Sequence, residues 1–414
     1  MSSTSATITL APGPNTDEDR PKPPSLESQV QQIPRSVPRL EIQEETPSDA
    51  DWAQLGAHFT SIKDLTLSSG FNEHLNDSNI PLHWPLERLV LNSACGELSR
   101  TQWIRDARLR HLRLEFTMGL RFGGPANEEL EKAYDERVAR GEEEEYRTSN
   151  GIRIVCLPAL VQRWFEEKYA QDHRQDKQNE EGSSENPSQH ELSSNIETLE
   201  IIENDVHDVL LRLCLSLPRV FSTLKTLNLR ATNGCDFHYG SDDVLHQLLP
   251  QLDTLKTLTL TLGSEYSDPA YLTRLYRHLP PNLGELRFRG AARLAKSDAW
   301  PEWVRAFQDP GFLPQLQRLS FLLDLGQKVD PFIASARKQQ RESESGDSVQ
   351  QPENENPADE KHNVSTEDLR LAKRACEQIW KAAGERLIAV EPFSEDYPAE
   401  FPDQKPLDDR WEGL

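Results

Sequence analysis

Nine strand-like triplets recur along the chain, in each of which an apolar residue is followed by a second three positions later and a third two positions after that. The triplets are Val37, Leu40 and Ile42; Ile62, Leu65 and Leu67; Leu86, Leu89 and Leu91; Leu109, Leu112 and Leu114; Ile196, Leu199 and Ile201; Leu224, Leu227 and Leu229; Leu255, Leu258 and Leu260; Leu283, Leu286 and Phe288; Leu316, Leu319 and Phe321. The last two members of each lie two residues apart, so on an extended strand they share one face. The first four triplets start 25, 24 and 23 residues apart; after a gap of 87 the remaining starts are separated by 28, 31, 28 and 33. A short strand recurring at such a period predicts a solenoid, because one repeat cannot bury its own apolar side and stacked neighbours can.

Helical patterns fill the spaces between triplets. Trp52, Leu55 and Phe59 follow a Ser48 or Asp49 suited to an N-cap. Val206, Leu210, Leu213 and Leu217 form a second helix. Val244, Leu245, Leu248, Leu249 and Leu252 form a third, and Leu272, Leu275, Tyr276 and Leu279 a fourth that starts at Asp268-Pro269. Pro218, Pro250 and Pro280-Pro281 end or kink these helices before the next strand. Trp300, Trp303, Val304 and Phe307 make another helix, its tryptophans read as core rather than as a ligand cage. Leu369, Ala372, Cys376, Ile379 and Ala383 predict a closing helix from Ser365 or Thr366 to Gly384, followed by an edge strand within Arg386 to Val390.

Polar stretches interrupt this pattern. Residues 123–195, 341–365 and 391–414 carry surpluses of eight, five and six acids, together 19 of the 23 excess negative charges. The predicted organisation is a disordered tail at 1–35, repeats at 36–122, and a mostly disordered acidic insertion at 123–195 with a docked helix near 158–170. More repeats follow at 196–325, then a disordered acidic linker at 326–365, a capping helix and edge strand at 366–390, and an acidic tail at 391–414. Pro38 is expected to confine the first triplet to an edge strand or cap, and Ile152, Val155 and Leu157 offer a degenerate triplet inside the insertion. This acidity argues against nucleic acid and anionic membrane as partners. Five scattered cysteines without a C-x-x-C pair, no signal-peptide pattern and no membrane-length apolar run point to a soluble cytoplasmic or nuclear protein.

Zinc-protease, nucleophile-elbow, phosphate-loop and paired Cys/His motifs are not found in the sequence, and no cofactor is implied. Asp236, His238, Asp242 and Asp243 share one loop and carry the alternative reading of a metal-dependent enzyme; a polar rim loop ending in a helix cap explains them as well. Asp205, His207 and Asp208 sit at a helix start, where acids complement the helix dipole. Strand positions facing away from the apolar side hold Arg39, Arg88, Arg113, Arg230, Arg287, Arg289 and Arg318 against Glu41, Asp64, Glu115, Glu200 and Glu285. The planar guanidinium fork suits carboxylate or phosphate. Arg230, Arg287, Arg289 and Arg318, with Arg113 and Arg88, are therefore the candidate contacts for an acidic partner segment, unless neighbouring acids on the ladder balance them.

The triplets, with PLHWPLERLVLNSACGEL at 81–98, LEIIENDVHD at 199–208 and LPPNLGELRFRG at 279–290, resemble leucine-rich-repeat proteins of filamentous fungi, which are similar to the repeat half of F-box substrate adaptors. The resemblance spans Val37 to Val390. It implies an α/β right-handed solenoid, an irregular horseshoe, whose inner wall binds protein. The first 36 residues are too short and polar for an F-box, so coupling to a ubiquitin ligase does not carry over. The asparagine expected three residues after each triplet occurs only as Asn204. The expected function is a non-catalytic protein-interaction module or scaffold, with a subunit of a larger complex as a further alternative. The chain's own acidic insert or tail is a candidate competitor for the inner wall.

Overall fold

The leucine triplets become the strands of one sheet. A computed structural model describes residues 5–11, 22–69, 74–76, 80–92, 95–97, 108–117, 195–203, 218–231, 243–262, 270–325 and 365–393, with isolated positions at 132, 136, 139–140, 146–147, 153–154, 206, 209–210 and 213–214. Its strands are β1 (Ala6–Thr9), β2 (Arg39–Glu44), β3 (Asp64–Ser69), β4 (His74–Asn76), β5 (Arg88–Asn92), β6 (Cys95–Glu97), β7 (His111–Glu115), β8 (Tyr146–Arg147), β9 (Arg153–Ile154), β10 (Thr198–Glu203), β11 (Thr226–Ala231), β12 (Thr257–Thr261), β13 (Glu285–Ala291), β14 (Arg318–Leu325) and β15 (Ala389–Val390). Eleven of them form a single open parallel sheet in the order β1-β2-β3-β5-β7-β10-β11-β12-β13-β14-β15, so the strands of this sheet stand side by side in their order along the chain.

The register repeats as strictly as the triplets. Leu40, Leu65, Leu89, Leu112, Leu199, Leu227, Leu258, Leu286 and Leu319 stand opposite one another in an unbroken row, and Ile42, Leu67, Leu91, Leu114, Ile201, Leu229, Leu260, Phe288 and Phe321 form the next. No member of either row is more than 2% exposed. Each such side chain contributes about 1.5–3 kcal/mol by burial, so the rows are the main adhesive between repeats. A backbone device recurs with them. At the start of eight strands of this sheet, from β3 to β14, two successive amides donate to one carbonyl of the preceding repeat: Lys63 and Asp64 to Pro38, Glu87 and Arg88 to Lys63, Arg110 and His111 to Glu87, and so on to Gln317 and Arg318 on Gly284.

Helices pack on the leucine side. They are α1 (Leu26–Gln31), α2 (Asp49–His58), α3 (Asp243–Leu248), α4 (Ala270–Arg274), α5 (Trp300–Gln308) and α6 (Thr366–Glu385), with helical Val206, Leu210 and Leu213 buried among them. Ser48 caps α2 in a reciprocal box with Asp51, and Ser365 caps α6 through the Asp368 amide. The third and fourth predicted helices are shorter than their apolar patterns: α3 and α4 tighten into 3-10 turns at Leu249–Gln251 and Leu275–His278. Trp300 and Trp303 are core residues, stacked with one another and packed against Phe321, and Trp303 also meets Phe288.

Two expectations are corrected at the amino end. Within the stretch read as a disordered tail, Ala6–Thr9 pairs with β2 and Leu26–Gln31 is helical; Ile8, Leu10 and Val30 join the core. The segment is poor in apolar residues, but the few it has are well spaced. Pro38 does not confine β2 to an edge, because β1 lies outside it; Pro38 sits just before the strand and contributes a carbonyl rather than an amide.

The predicted insertion lies mostly outside the described residues, as do the helix expected near 158–170, the 326–364 linker and the tail beyond Phe393. Arg153–Ile154 pairs antiparallel with Tyr146–Arg147, and β7 pairs directly with β10, so no repeat strand from the insertion stands between them. At the carboxyl end Gly384 is inside α6; the reversal falls at Leu387, with φ of 62°. Leu387 donates to the Gly384 carbonyl and Ile388 to that of Ala383, a Schellman closure with leucine where glycine is usual.

Both sheet edges are covered by side chains as well as strands. The Gln29 amide of α1 both accepts from Thr9 N–H, at 2.9 Å, and donates to its carbonyl, at 2.7 Å, imitating a further strand on β1. β15 pairs only with Arg318 and Leu319, and farther along β14 the Trp380 indole donates to the Phe321 carbonyl at 3.0 Å. Such capping limits pairing with other chains.

Candidate functional site

Alternation along each strand sends every second side chain to the face opposite the leucines, and the common register arranges these into three rows. The first runs Arg39, Asp64, Arg88, His111, Thr198, Thr226, Thr257, Glu285, Arg318. The second runs Glu41, Thr66, Val90, Arg113, Glu200, Asn228, Thr259, Arg287, Ser320. The third, at the carboxyl ends, runs Gln43, Ser68, Asn92, Glu115, Ile202, Arg230, Thr261, Arg289, Leu322. In the third row everything from Glu115 to Leu322 is buried, while the first row is more open. All seven arginines and five acids singled out in the sequence stand in these rows, and the structure brings most of them together in pairs.

On β2, β3 and β5 the pairs are simple. Arg88 Nη1 donates to Asp64 Oδ1 at 2.8 Å, and Arg39 Nε lies 3.7 Å from the same carboxylate. Where β7 meets β10, Glu200 is a hub: it accepts from His111 Nε2 at 2.6 Å, Arg113 Nη1 at 3.3 Å and Asn228 Nδ2 at 3.1 Å, while Arg113 Nε also reaches Glu115 at 2.6 Å. Burial pushes the Glu200 carboxyl up, but the bond from His111, the Arg113 charge and the bond from Asn228 outweigh it and hold the group down at about 2. Beyond the same strand ends the Thr117 amide donates to Glu203 at 2.6 Å and the Phe116 amide to the Ile202 carbonyl at 2.9 Å. The sheet is thus cross-tied where β7 and β10, separated by 82 residues of sequence (116–197), lie side by side.

On β11 to β14 the face changes character. β12 presents only threonines, Thr257, Thr259 and Thr261. Arg230 Nε donates to Asn228 Oδ1 at 3.2 Å. Arg289 forms a two-point pair with Asp324, Nε to Oδ1 and Nη2 to Oδ2, each 2.8 Å, with side chains 2% and 1% exposed. A β-bulge lies beside this pair. Gly290 pairs with Leu323 and Ala291 with Leu325, so Asp324 is the extra residue, turned toward Arg289. Gly290 is required there, because a Cβ would come within 2.7 Å of the Phe288 ring. Arg287 and Arg318 converge on Glu285, Arg287 Nε at 2.6 Å from Oε1 and Arg318 Nη2 on Oε2.

Asp324 is the residue the sequence reading missed. Continuing the alternation Arg318, Ser320, Leu322 by one more step would have placed it on this face. The His111 and Asn228 ligands of Glu200 were equally within reach of row counting. Of the loop read as a metal site, Asp236, His238 and Asp242 lie outside the described residues and Asp243 opens α3; Asp205, His207 and Asp208 also lie outside them. Among the described residues no three His, Cys, Asp or Glu side chains gather as metal ligands would, and no helix is long and apolar enough to cross a membrane. Cys376 is sealed on the buried face of α6, where burial pushes its thiol up and away from the reactive thiolate.

Fold and face together define an α/β protein built on one open parallel sheet, apolar and helix-covered on one side and polar on the other. Compared with known proteins, the chain matches no family model and no curated protein.

Proposed function

We propose that the chain is a leucine-rich-repeat-like solenoid that works as a non-catalytic protein-interaction module, with its partner held on the polar face of the sheet. The observation that carries this reading is the constancy of register: nine successive strands align polar side chains into straight rows, a wide surface positioned by a rigid backbone. The equivalent amide pairs that tie eight strands to their preceding repeats support the solenoid part of the reading. Acidic partners fit better than basic ones on β11 to β14. There Arg230, Arg287, Arg289 and Arg318 stand against Glu285 and Asp324, a local surplus of positive charge in a chain of net charge -23.

Affinity purification from the native cell tests this. Three forms are compared: wild type, a polar-face variant (Arg39→Glu/Arg88→Glu/Arg287→Glu/Arg318→Glu), and a helix-side variant (Arg274→Glu/Arg305→Glu). The reading expects the main co-purifying protein to be lost only from the polar-face variant; loss from the helix-side variant alone would contradict it.

A further inference from the structure

The four arginines of β11 to β14 differ in what already holds them. Arg289 is enclosed with Asp324, and Arg230 is buried against Asn228, so neither offers surface to an incoming molecule. Arg287 and Arg318 are different. Their side chains are 36% and 54% exposed, and both rest on one enclosed carboxylate, that of Glu285, which is 7% exposed. A guanidinium has five N–H donors. Among the described residues each of these two uses a single donor, toward Glu285. One carboxylate therefore braces two forks and neutralises only one of them. The bracing also removes part of the rotamer entropy that two arginines would otherwise lose when a ligand arrives.

The neighbourhood extends this pair in one direction. In register with Glu285 and Arg318, the first row continues through Thr257, Thr226 and Thr198, three half-buried hydroxyls on consecutive strands. From Thr198 to Arg318 is four strand spacings, about 19 Å, or the reach of about six extended residues. At one end stands a carboxylate clamp with one net positive charge; along the rest stand groups that both donate and accept hydrogen bonds.

Resting on the interaction reading above, we infer that Arg287 and Arg318, braced by Glu285, form the anchor for an acidic partner peptide laid across the amino ends of β10 to β14. Aspartate or glutamate carboxylates suit it better than a phosphate dianion. On the polar face of these strands the remaining cations, Arg230 and Arg289, are buried and engaged, so the surplus accessible on that face is a single charge. Arg287 and Arg318 contact the ligand; Glu285 is a positioning residue.

Fluorescence anisotropy with labelled hexaglutamate, hexaserine and a phosphoserine hexapeptide, on the full chain at about 0.15 M salt, tests the assignment. At that ionic strength distant acids are screened beyond about 8 Å, whereas contact at the clamp is not. Hexaglutamate should bind and hexaserine should not. Arg287→Ala/Arg318→Ala should weaken hexaglutamate at least tenfold; because it also leaves the enclosed Glu285 carboxylate without these two partners and lowers the urea midpoint, the comparison is made well below its unfolding transition, and adding Glu285→Gln should restore the midpoint but not the binding. Arg287→Lys/Arg318→Lys, which keeps the charge and loses the fork, should fall between, and Arg39→Ala should stay within twofold of wild type. Preference for the phosphoserine peptide would overturn the carboxylate assignment. Equal binding by the double alanine variant would overturn the location. No binding by wild type, including the case in which the chain's own acidic stretches fill the clamp, would overturn the inference as a whole. If the four-site variant nevertheless loses its cellular partner, the interaction reading stands without the clamp; if it keeps the partner, that reading falls too.

Discussion

The two halves of the polar face stand on the same leucine rows and differ in almost everything else. On β2 to β10, Arg39, Arg88 and Arg113 meet Glu41, Asp64, Glu115 and Glu200, acids and bases alternating across neighbouring strands with one acid to spare. On β11 to β14, four arginines meet two acids across a field of threonine, and two of those arginines are locked away while two remain accessible. The core is indifferent to this division: every strand contributes the same two buried positions on either side of it. A repeat scaffold thus separates the residues that make it fold from those that give a region its chemistry, and only the second set distinguishes one half from the other.

The largest effect expected from breaking this comparison is at Arg289. Removing it by Arg289→Ala leaves the Asp324 charge enclosed without its partner and should cost about 3–5 kcal/mol in urea unfolding. Arg88→Ala, which breaks a half-exposed pair in the other half, should cost less than about 1 kcal/mol. Equal costs would mean that the two halves do not differ in this way. The core makes the complementary test. Leu65→Ala and Leu258→Ala lie in equivalent positions of the two halves, and each should lose about 2–5 kcal/mol by cavity formation. A large, reproducible gap between them would contradict the equivalence of the repeats.

Next in size is the seam between the halves. The Glu200 carboxyl is held near 2, below its ordinary 4.5, so its contribution is present above pH 4.5 and is lost as the pH falls toward 2. The lowering corresponds to on the order of 3 kcal/mol. Wild type should therefore lose stability steeply over that window, and Glu200→Gln, less stable at neutral pH, should show a shallower slope there. Parallel profiles would remove Glu200 as the tie between β7 and β10. The smallest effect is at the carboxyl edge. Leu387 holds a left-handed backbone with its side chain 93% exposed, a conformation glycine adopts without steric cost. Leu387→Gly should raise stability by about 1 kcal/mol or less, seen as a higher urea midpoint.

The strands were legible in the sequence because a triplet of apolar residues at a fixed period has few alternatives, and all nine appear in register. The α2 cap at Ser48 and the capping role of α6 were legible for the same local reasons. β1 was not: Ile8 and Leu10 are only two apolar residues in a polar stretch, and burial was decided by the neighbour they meet on β2 rather than by local composition. At the candidate site, alternation placed the arginines on one face, but it could not say which were available. That depends on Glu285 serving two of them and on Asp324 enclosing a third, both matters of side-chain geometry across strands more than 30 residues apart.

Accessible arginines on β13 and β14, rather than the polar face at large, are proposed to meet the partner. Arginine modification by phenylglyoxal, read by mass spectrometry on the free chain and on the chain with its captured partner, tests it most directly. Arg287 and Arg318 should react in the free chain and be protected in the complex, while Arg39 stays reactive and Arg289 unreactive in both. Protection of Arg274 and Arg305 on the helix side, with Arg287 and Arg318 unchanged, would contradict it.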